Sequence, residues 1–173
     1  SDPVAFSEVH PNYGAIIETM DWQFGRLVSK LKALGLYENT VIIVTSDNGA
    51  LPEGHQLPMT DLTPLNGQKG SLLEGGVRVP FIISGPGFRG NEEVRRDLVS
   101  LVDILPTLAD LTGLQPVDAD KLDGHSLLPV IQGHGSLMER TLYWYYPVRW
   151  FLPPHIAVLE NNLKYIEFHD CNG

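Results

Sequence analysis

The chain has 173 residues, of which 43% are hydrophobic and 19% charged, a composition typical of a globular domain with a hydrophobic core. Its formal net charge of −9 at pH 7 argues against nucleic-acid binding, and any site for an anionic substrate must therefore be locally basic. No apolar run approaches the roughly 20 residues that cross a bilayer. The single cysteine, Cys171, excludes an internal disulfide and leaves the redox compartment undecided.

The first predicted element is an amphipathic helix from Tyr13 to Leu34. Its hydrophobic side chains recur at spacings of three and four residues, which places them on one face. Asn12 is predicted to cap the start of this helix, and Gly35 is predicted to follow its last turn. The hydrophobic face consists of Ile16, Ile17, Met20, Phe24, Leu27, Val28, Leu31 and Leu34.

Two β-branched runs, Val41–Val44 and Val79–Ile83, are predicted to form buried strands. Each run is almost continuously apolar, as expected when both faces of a sheet are covered. The order of helix, short loop and strand is the α/β alternation that predicts a largely parallel sheet.

Asp47 and Asn48 lie just past the end of the first predicted strand. In an open α/β sheet, ligands bind in the crevice beyond the carboxyl ends of the strands. A carboxylate and an amide carbonyl are hard oxygen ligands that suit Ca²⁺ or Mg²⁺. Asp-Asn-Gly is also typical of a plain turn after a strand, so the two interpretations stand side by side at this point.

The segment from Gly49 to Gln68 shows neither a helical nor a strand period, and prolines and glycines interrupt it. An irregular connection of this length is uncommon in a compact domain and is usually functional or disordered. It leads to Lys69, which lies between Gly67 and Gly70, and glycines let a backbone approach a ligand closely. A lysine beside a carboxylate–amide pair predicts an oxyanion site, with an ordinary surface lysine as the alternative.

After the second strand, the pattern predicts a short strand over Asp97–Leu101 and a helix over Val102–Thr112. Pro106 then belongs in the first turn of that helix, where its missing N–H costs little. Three antiparallel strands follow, and Asn161-Asn162 is predicted to form a two-residue hairpin turn between the last two. These strands are Thr141–Tyr146, His155–Glu160 and Leu163–Phe168.

Three motifs carry a family resemblance. T-S-D-N-G is followed by G-Q-K-G-S-L-L-E-G-G-V-R-V-P, the first helix contains Y-x-x-x-I-x-x-M-D-x-x-x-G-x-L, and L-D-G-H-S-L-L-P occurs further on. S-D-N-G alone is a weak signal, whereas K-G-x-x-x-E-G-G-x-R-x-P at this distance behind it is a strong one. Together they resemble the formylglycine-dependent sulfatases, which are arylsulfatase-like members of the alkaline-phosphatase-like superfamily.

The resemblance implies both a fold and a site. It implies an α/β alkaline-phosphatase-like sandwich, of which this chain is the C-terminal portion, with a mostly parallel sheet flanked by helices and a small C-terminal antiparallel sheet. Residues 1–135 would belong to the catalytic domain, and residues 136–173 would begin a truncated antiparallel subdomain. It also implies that Asp47 and Asn48 bind the active-site divalent metal, usually calcium, and that Lys69 contacts the sulfate ester. The substrate would be a sulfated small molecule or glycan, in a periplasmic, secreted or lysosomal-type compartment.

The sequence departs from the family pattern in two places. The family's formylglycine nucleophile arises from a cysteine in C-x-P-S-R, but Cys171 is followed by Asn172 and Gly173 and cannot be that cysteine. The acidic pair that supplies the other metal ligands is also absent. Because Ca²⁺ prefers six to eight oxygen ligands, two from this chain would hold it poorly. We therefore expect a fragment that is inactive on its own.

The sequence predicts structural roles for several further residues. Glu74 and Arg78 are predicted to form an ion pair beside the site rather than to act in catalysis. The paired glycines Gly75 and Gly76 are predicted to serve a tight turn. The histidines have no regular metal spacing and are interpreted as loop or surface residues, with His55 as the best functional candidate because it follows Asn48 in the irregular segment. The aromatic residues Trp144, Tyr145, Tyr146 and Trp150 are predicted to pack on the core rather than to line a subsite.

Two alternative functions remain open at the level of sequence. Related phosphodiesterases and phosphonate hydrolases tend to carry histidine at the position of Asn48, and imidazole suits Zn²⁺ or Mn²⁺ whereas an amide oxygen suits Ca²⁺. Asn48 therefore favours sulfuryl over phosphoryl transfer. The second alternative is a non-catalytic binding or assembly module, because uncovered strands would favour self-association or binding to a missing N-terminal part.

Overall fold

The computed structural model describes residues 10–52, 60–86, 88, 94–150 and 152–169. The chain divides into two compact units, one formed by Ser1–Gly85 with Thr141–Gly173 and the other by Pro86–Arg140. None of the described helices is long and apolar enough to cross a membrane. The helices are α1 (Pro11–Ala33), α2 (Glu74–Val77), α3 (Ile104–Thr112) and α4 (Leu128–Ile131), and the strands are β1 (Ile42–Thr45), β2 (Phe81–Ser84), β3 (Leu142–Tyr146), β4 (His155–Glu160) and β5 (Leu163–Phe168).

The predicted first helix is present as α1, but its cap is not the predicted one. Pro11 occupies the first turn, and the N-cap is His10, whose Nδ1 accepts a hydrogen bond of 3.2 Å from the backbone N–H of Asn12. Asn12 is thus inside the helix, because a proline at the first position fixes the helical φ one residue earlier. Gly35 follows the C-cap with φ of 67°, as predicted for a residue that ends a helix in the left-handed region.

The hydrophobic face of α1 is exposed. None of the residues of α1 is buried, and Ile16, Met20 and Leu27 are 60%, 59% and 55% exposed. An amphipathic helix normally gains its stability by packing such a face against other elements. Within the described residues, α1 therefore has a hydrophobic surface that is available for contact.

β1 and β2 pair directly, and the pairing is antiparallel. Ile42 lies opposite Ser84, and Thr45 lies opposite Phe81. The expectation of a largely parallel sheet is wrong for these two strands, because antiparallel neighbours need no long crossover helix and the described connection contains only the four residues of α2. Consequently, the residues that follow β1 and those that precede β2 lie at the same end of the sheet.

The second sheet has the order β3-β4-β5 and is antiparallel throughout. Its strands begin and end within one residue of their predicted bounds. Asn161 and Asn162 connect the last two with φ of 47° and 64°, which confirms the predicted tight turn. The alternation of buried and more exposed residues along β4 gives this sheet one inward face, on which Ala157 is 1% exposed.

A buried ion pair organises the unit Pro86–Arg140. Asp103 is fully buried, and both of its carboxylate oxygens accept hydrogen bonds from Arg140 at 2.6 and 2.5 Å. Burial alone raises the pKa of Asp103, but the hydrogen bonds from Arg140 and from the backbone N–H groups of His125 and Ser100 outweigh it and hold that pKa below its usual value.

The strand predicted over Asp97–Leu101 is absent, because this segment forms hydrogen bonds with Arg140 and with a loop instead. The carbonyl oxygen of Leu98 accepts from Arg140 at 3.0 Å, and the Asp97 carboxylate accepts from the backbone N–H of Leu137 at 3.2 Å. Side chains and loop amides, rather than a neighbouring strand, satisfy this segment. α3 begins after a 3₁₀ turn at Leu101–Asp103, and Pro106 lies in its first turn as predicted.

Candidate active site

Backbone hydrogen bonds bring two segments together at the end of β1. The N–H of Gly49 donates to the carbonyl oxygen of Gly76 at 2.8 Å, which ties the residues after β1 to α2. The N–H of Lys69 donates to the carbonyl oxygen of Ala50 at 3.0 Å. The irregular segment thus brings the backbone of Lys69 into contact with Ala50, the second residue after Asn48.

Glycines make this close approach feasible. A Cβ atom at Gly49 would overlap the carbonyl oxygen of Gly75, and one at Gly75 would overlap the carbonyl oxygen of Gly67. A Cβ at Gly76 would overlap the carbonyl oxygen of Ser71. The paired glycines Gly75 and Gly76 therefore allow backbone-to-backbone packing at the start of a short helix, a more specific role than the tight turn that was predicted.

Asp47 and Asn48 lie beyond the end of β1, where the sequence predicted them. The Ser46 hydroxyl donates to the Asn48 backbone carbonyl at 2.8 Å and lies 3.5 Å from Oδ1 of Asp47. The residue Asp47 is exposed. A carboxylate and an amide oxygen fit a hard cation such as Ca²⁺. No group of three or more His, Cys, Asp or Glu side chains that could hold a metal occurs among the described residues, so this pair fits only part of a coordination sphere.

Lys69 projects from a compact turn. Its neighbours Gln68 and Ser71 are buried, and the Ser71 hydroxyl donates to the Gln68 carbonyl at 2.9 Å and accepts from the Gln68 N–H at 3.2 Å. Gly67 and Gly70 have φ of 82° and 83°, a conformation that favours glycine. Lys69 itself is exposed, so the turn presents its ammonium group to solvent.

Glu74 has a closer partner than the predicted one. Its carboxylate lies 3.8 Å from Arg78, whose side chain is 69% exposed, but 2.7 Å from Nζ of Lys164. The Lys164 side chain is only 13% exposed, and its ammonium also lies 5.1 Å from the Trp144 ring centroid. The structural role predicted for Glu74 thus rests mainly on an ion pair with β5 that the sequence did not suggest, because 90 residues separate its partners.

The prediction that every histidine lies in a loop or at the surface is wrong for His155. This residue begins β4 and is fully buried, and its Nε2 atom accepts from the backbone N–H of Leu72 at 2.9 Å. The strand pattern could have indicated this burial, because His155 and Ala157 alternate with more exposed residues and thus share the inward face of the strand. His55, the best functional candidate among the histidines, lies outside the described residues.

The prediction that the aromatic residues around β3 pack on the core holds only in part. The Tyr146 ring packs beside His155, with ring centroids 5.4 Å apart, whereas Tyr145 is 70% exposed. Trp150 is 52% exposed and lies against Gly70, where a Cβ atom would overlap its ring. Only part of this aromatic group packs inward, because side chains on a strand alternate between faces.

Two family models match the chain. The sulfatase model matches residues 3–114, and the model of the C-terminal part of N-sulphoglucosamine sulphohydrolase matches residues 68–172. The first match covers well over half of the chain, which therefore belongs to the sulfatase family. The resemblance found in the sequence is confirmed, and the second match agrees with the expected C-terminal portion.

Individual relatives agree with this membership. Steryl-sulfatase of Mus musculus is 33% identical over 162 residues, covering 87% of this chain and 26% of that protein. Arylsulfatase K of Canis lupus familiaris is 32% identical over 161 residues, covering 92% of this chain and 25% of that protein. The chain thus spans about a quarter of the length of the curated relatives it matches.

A solved structure shows the same fold. A protein in complex with its substrate D-glucosamine-2-N,6-O-disulfate is 25% identical and superposes with a TM-score of 0.70, covering 90% of this chain and 30% of that one. The predicted alkaline-phosphatase-like fold is thereby confirmed. The domain boundary predicted at residue 135 stays a prediction.

Proposed function

We propose that this chain supplies one side of the active site of a sulfuric ester hydrolase. The observation that carries the proposal is the hydrogen bond from Lys69 to Ala50, which links the lysine turn to the segment that contains Asp47 and Asn48. Two segments, one with a potential cation site and one with a cationic side chain, are thus linked at one end of β1. Such an arrangement can bind the sulfuryl oxygens of an anionic ester.

In this proposal Asp47 and Asn48 hold a divalent metal, with calcium favoured by their oxygen ligands. When bound, the metal supplies positive charge beside the sulfuryl oxygens. The Lys69 ammonium binds those oxygens from the chain's other segment and stabilises the negative charge that develops as the S–O bond breaks. Asn48, rather than a histidine, favours sulfate over phosphate esters because its amide oxygen suits calcium better than zinc.

The nucleophile is proposed to come from outside these 173 residues. The sequence contains no C-x-P-S-R segment, and the family's nucleophile is a formylglycine made from that cysteine. The chain's own residues then bind and orient the ester but cannot attack it. The proposed substrate is a sulfated small molecule or glycan, in keeping with the glucosamine disulfate bound by the structural relative.

The proposal is tested by sulfate release from an aryl sulfate, using the longest polypeptide that the gene encodes. Lys69→Ala should lower kcat/KM by about 100-fold or more, as is typical when one group that stabilises transition-state charge is removed. Lys30→Ala removes an exposed lysine of α1 and is the matched control, with activity expected within about twofold. Equal activity of the two variants would contradict the proposed role of Lys69.

A second candidate function is binding or assembly without chemistry. The exposed hydrophobic face of α1 favours it, because apolar surface of this kind drives association. In this account the isolated chain dimerises or binds a complementary part of the sulfatase fold through α1. Sedimentation equilibrium tests dimerisation. A stable monomer at micromolar concentration would count against self-association, and Met20→Glu should weaken any dimer.

A further inference from the structure

We infer that His155 is a positioning residue for Lys69. This inference rests on the proposed function, because it concerns the lysine assigned to the sulfuryl oxygens. His155 belongs to the C-terminal sheet, whereas Lys69 belongs to the turn before α2. The link between them is the hydrogen bond of 2.9 Å between Nε2 of His155 and the backbone N–H of Leu72, three residues after Lys69.

The two ring nitrogens of His155 have fixed and different roles. The backbone N–H of Leu72 can only donate, so Nε2 must carry the lone pair that accepts it. Nδ1 lies 2.7 Å from the carbonyl oxygen of Pro153, which can only accept, so Nδ1 carries the proton. These two contacts define a single neutral tautomer, in which the imidazole acts as a bridge between the backbone at Pro153 and the backbone at Leu72.

Burial makes this bridge costly to remove. His155 is fully buried and Leu72 is 5% exposed, so water cannot readily replace a lost acceptor. The Tyr146 and Phe168 rings hold the imidazole in place, with ring centroids 5.4 and 5.2 Å from that of His155. The position of the Leu72 amide is therefore set by a side chain that packing has already fixed.

The constraint extends from Leu72 back to Lys69 through the compact turn. The N–H of Ser71 donates to the carbonyl of Gln68 at 3.0 Å, and the Ser71 hydroxyl closes the same turn. His155 holds one end of the turn at Leu72, and the hydrogen bond from Lys69 to Ala50 holds the other end. The turn therefore has little conformational freedom. Because His155 is buried and both nitrogens are engaged, it does not itself touch the substrate.

Two substitutions separate a positioning role from a merely structural one. In His155→Gln, the side-chain oxygen lies the same number of bonds from Cβ as Nε2 does, so it can still accept from Leu72. In His155→Asn, the oxygen corresponds to Nδ1 and cannot reach that amide. Both variants keep a buried polar amide, so a role in packing or polarity alone predicts similar behaviour for the two. His134→Gln, at an exposed histidine, is the control.

The test is amide hydrogen exchange by NMR on this chain. We expect exchange at Leu72 to accelerate by roughly tenfold or more in His155→Asn, with a shifted Lys69 amide signal, and to stay within about threefold of the parent in His155→Gln and His134→Gln. Amides of α3 should be unaffected. Equal protection of Leu72 in the Asn and Gln variants would overturn the inference, as would loss of protection in His155→Gln if the Asn variant does not fold.

A titration with inorganic sulfate separates this inference from the proposed function. Weaker sulfate binding by Lys69→Ala and by His155→Asn, but not by His155→Gln, supports both. If Lys69→Ala leaves sulfate binding unchanged, the proposed function fails, while the exchange result still decides whether His155 fixes the turn. If Lys69→Ala weakens binding and His155→Asn does not, the positioning role fails and the proposed function stands.

Discussion

The backbone N–H of Lys69 donates a hydrogen bond of 3.0 Å to the carbonyl oxygen of Ala50. This single contact closes the irregular segment that leaves β1, and it brings the backbone of Lys69 to the stretch that follows Asp47 and Asn48. The antiparallel pairing of β1 with β2 supports the same arrangement, because it puts both ends of that segment at one end of the sheet.

The close packing of glycines around this contact leads to the first prediction. Gly49→Ala should lower the free energy of unfolding by about 1–3 kcal/mol, because the new methyl group would overlap the carbonyl oxygen of Gly75. Urea denaturation followed by circular dichroism measures the change. Gly25→Ala is the matched control: it lies inside α1 with no atom within 4 Å of the added Cβ.

The control should behave in the opposite way. Alanine stabilises a helix interior by about 0.5–1 kcal/mol relative to glycine, so Gly25→Ala should be neutral or stabilising. A Gly49→Ala variant as stable as the parent would show that the backbone segments need not approach so closely.

The sequence predicted local elements well and their pairing less well. Periodicity identified α1, β4 and β5 because each has a clear hydrophobic pattern. It did not reveal the antiparallel pairing of β1 and β2, since an apolar run reads alike in both directions, and the burial predicted for the two strands is wrong, because neither contains a buried residue.

The site was predicted in a similarly uneven way. The motifs pointed to Asp47, Asn48 and Lys69, and the structure brings the backbone segments that carry them together, while their functional roles stay a prediction. The partners His155 and Lys164 were missed because they lie 83 and 90 residues from the atoms they bind, and no local pattern encodes such contacts.

The second prediction concerns the buried pair of Asp103 and Arg140. Arg140→Met should destabilise the chain by about 3–5 kcal/mol, because it leaves a buried carboxylate without its partner. Lys121→Met breaks an exposed pair with Asp118 and should cost less than about 1 kcal/mol. Urea denaturation of both variants at pH 7 provides the comparison, and equal losses would contradict the structural role of Asp103.

The third prediction is a pH dependence with a defined sign. The pKa of Asp103 is lower in the folded chain than its ordinary value, mainly because Arg140 and backbone donors outweigh the effect of burial. Its contribution to stability is therefore present above the unfolded pKa of about 3.9 and is lost as the pH falls through the lower folded value.

The gap in free energy of unfolding between the parent and Arg140→Met should accordingly narrow as the pH falls toward and below about 4, because protonation relieves the unpaired carboxylate in the variant and removes the ion pair in the parent. Denaturation curves at a series of pH values measure this gap. A gap that stays constant or widens toward low pH would be inconsistent with a charged Asp103 in the folded state.

The fourth prediction is that the 173-residue chain alone releases no sulfate from an aryl sulfate, even with added Ca²⁺. The reason is that, in the proposed function, it would contribute metal ligands and a cation but has no formylglycine precursor in a C-x-P-S-R segment. A sensitive sulfate-release assay checks this, with an active sulfatase as positive control. Turnover that disappears in Lys69→Ala would mean that a nucleophile exists within this chain.

The most direct measurement of the central claim is a crystal structure of the protein grown with Ca²⁺ and inorganic sulfate. For the longest polypeptide that the gene encodes, we predict one ion bound by the side-chain oxygens of Asp47 and Asn48, and a sulfate oxygen within about 3.2 Å of Nζ of Lys69 in the same pocket. If the Lys69 ammonium instead points away from a pocket shared with these two side chains, the proposed active site is wrong.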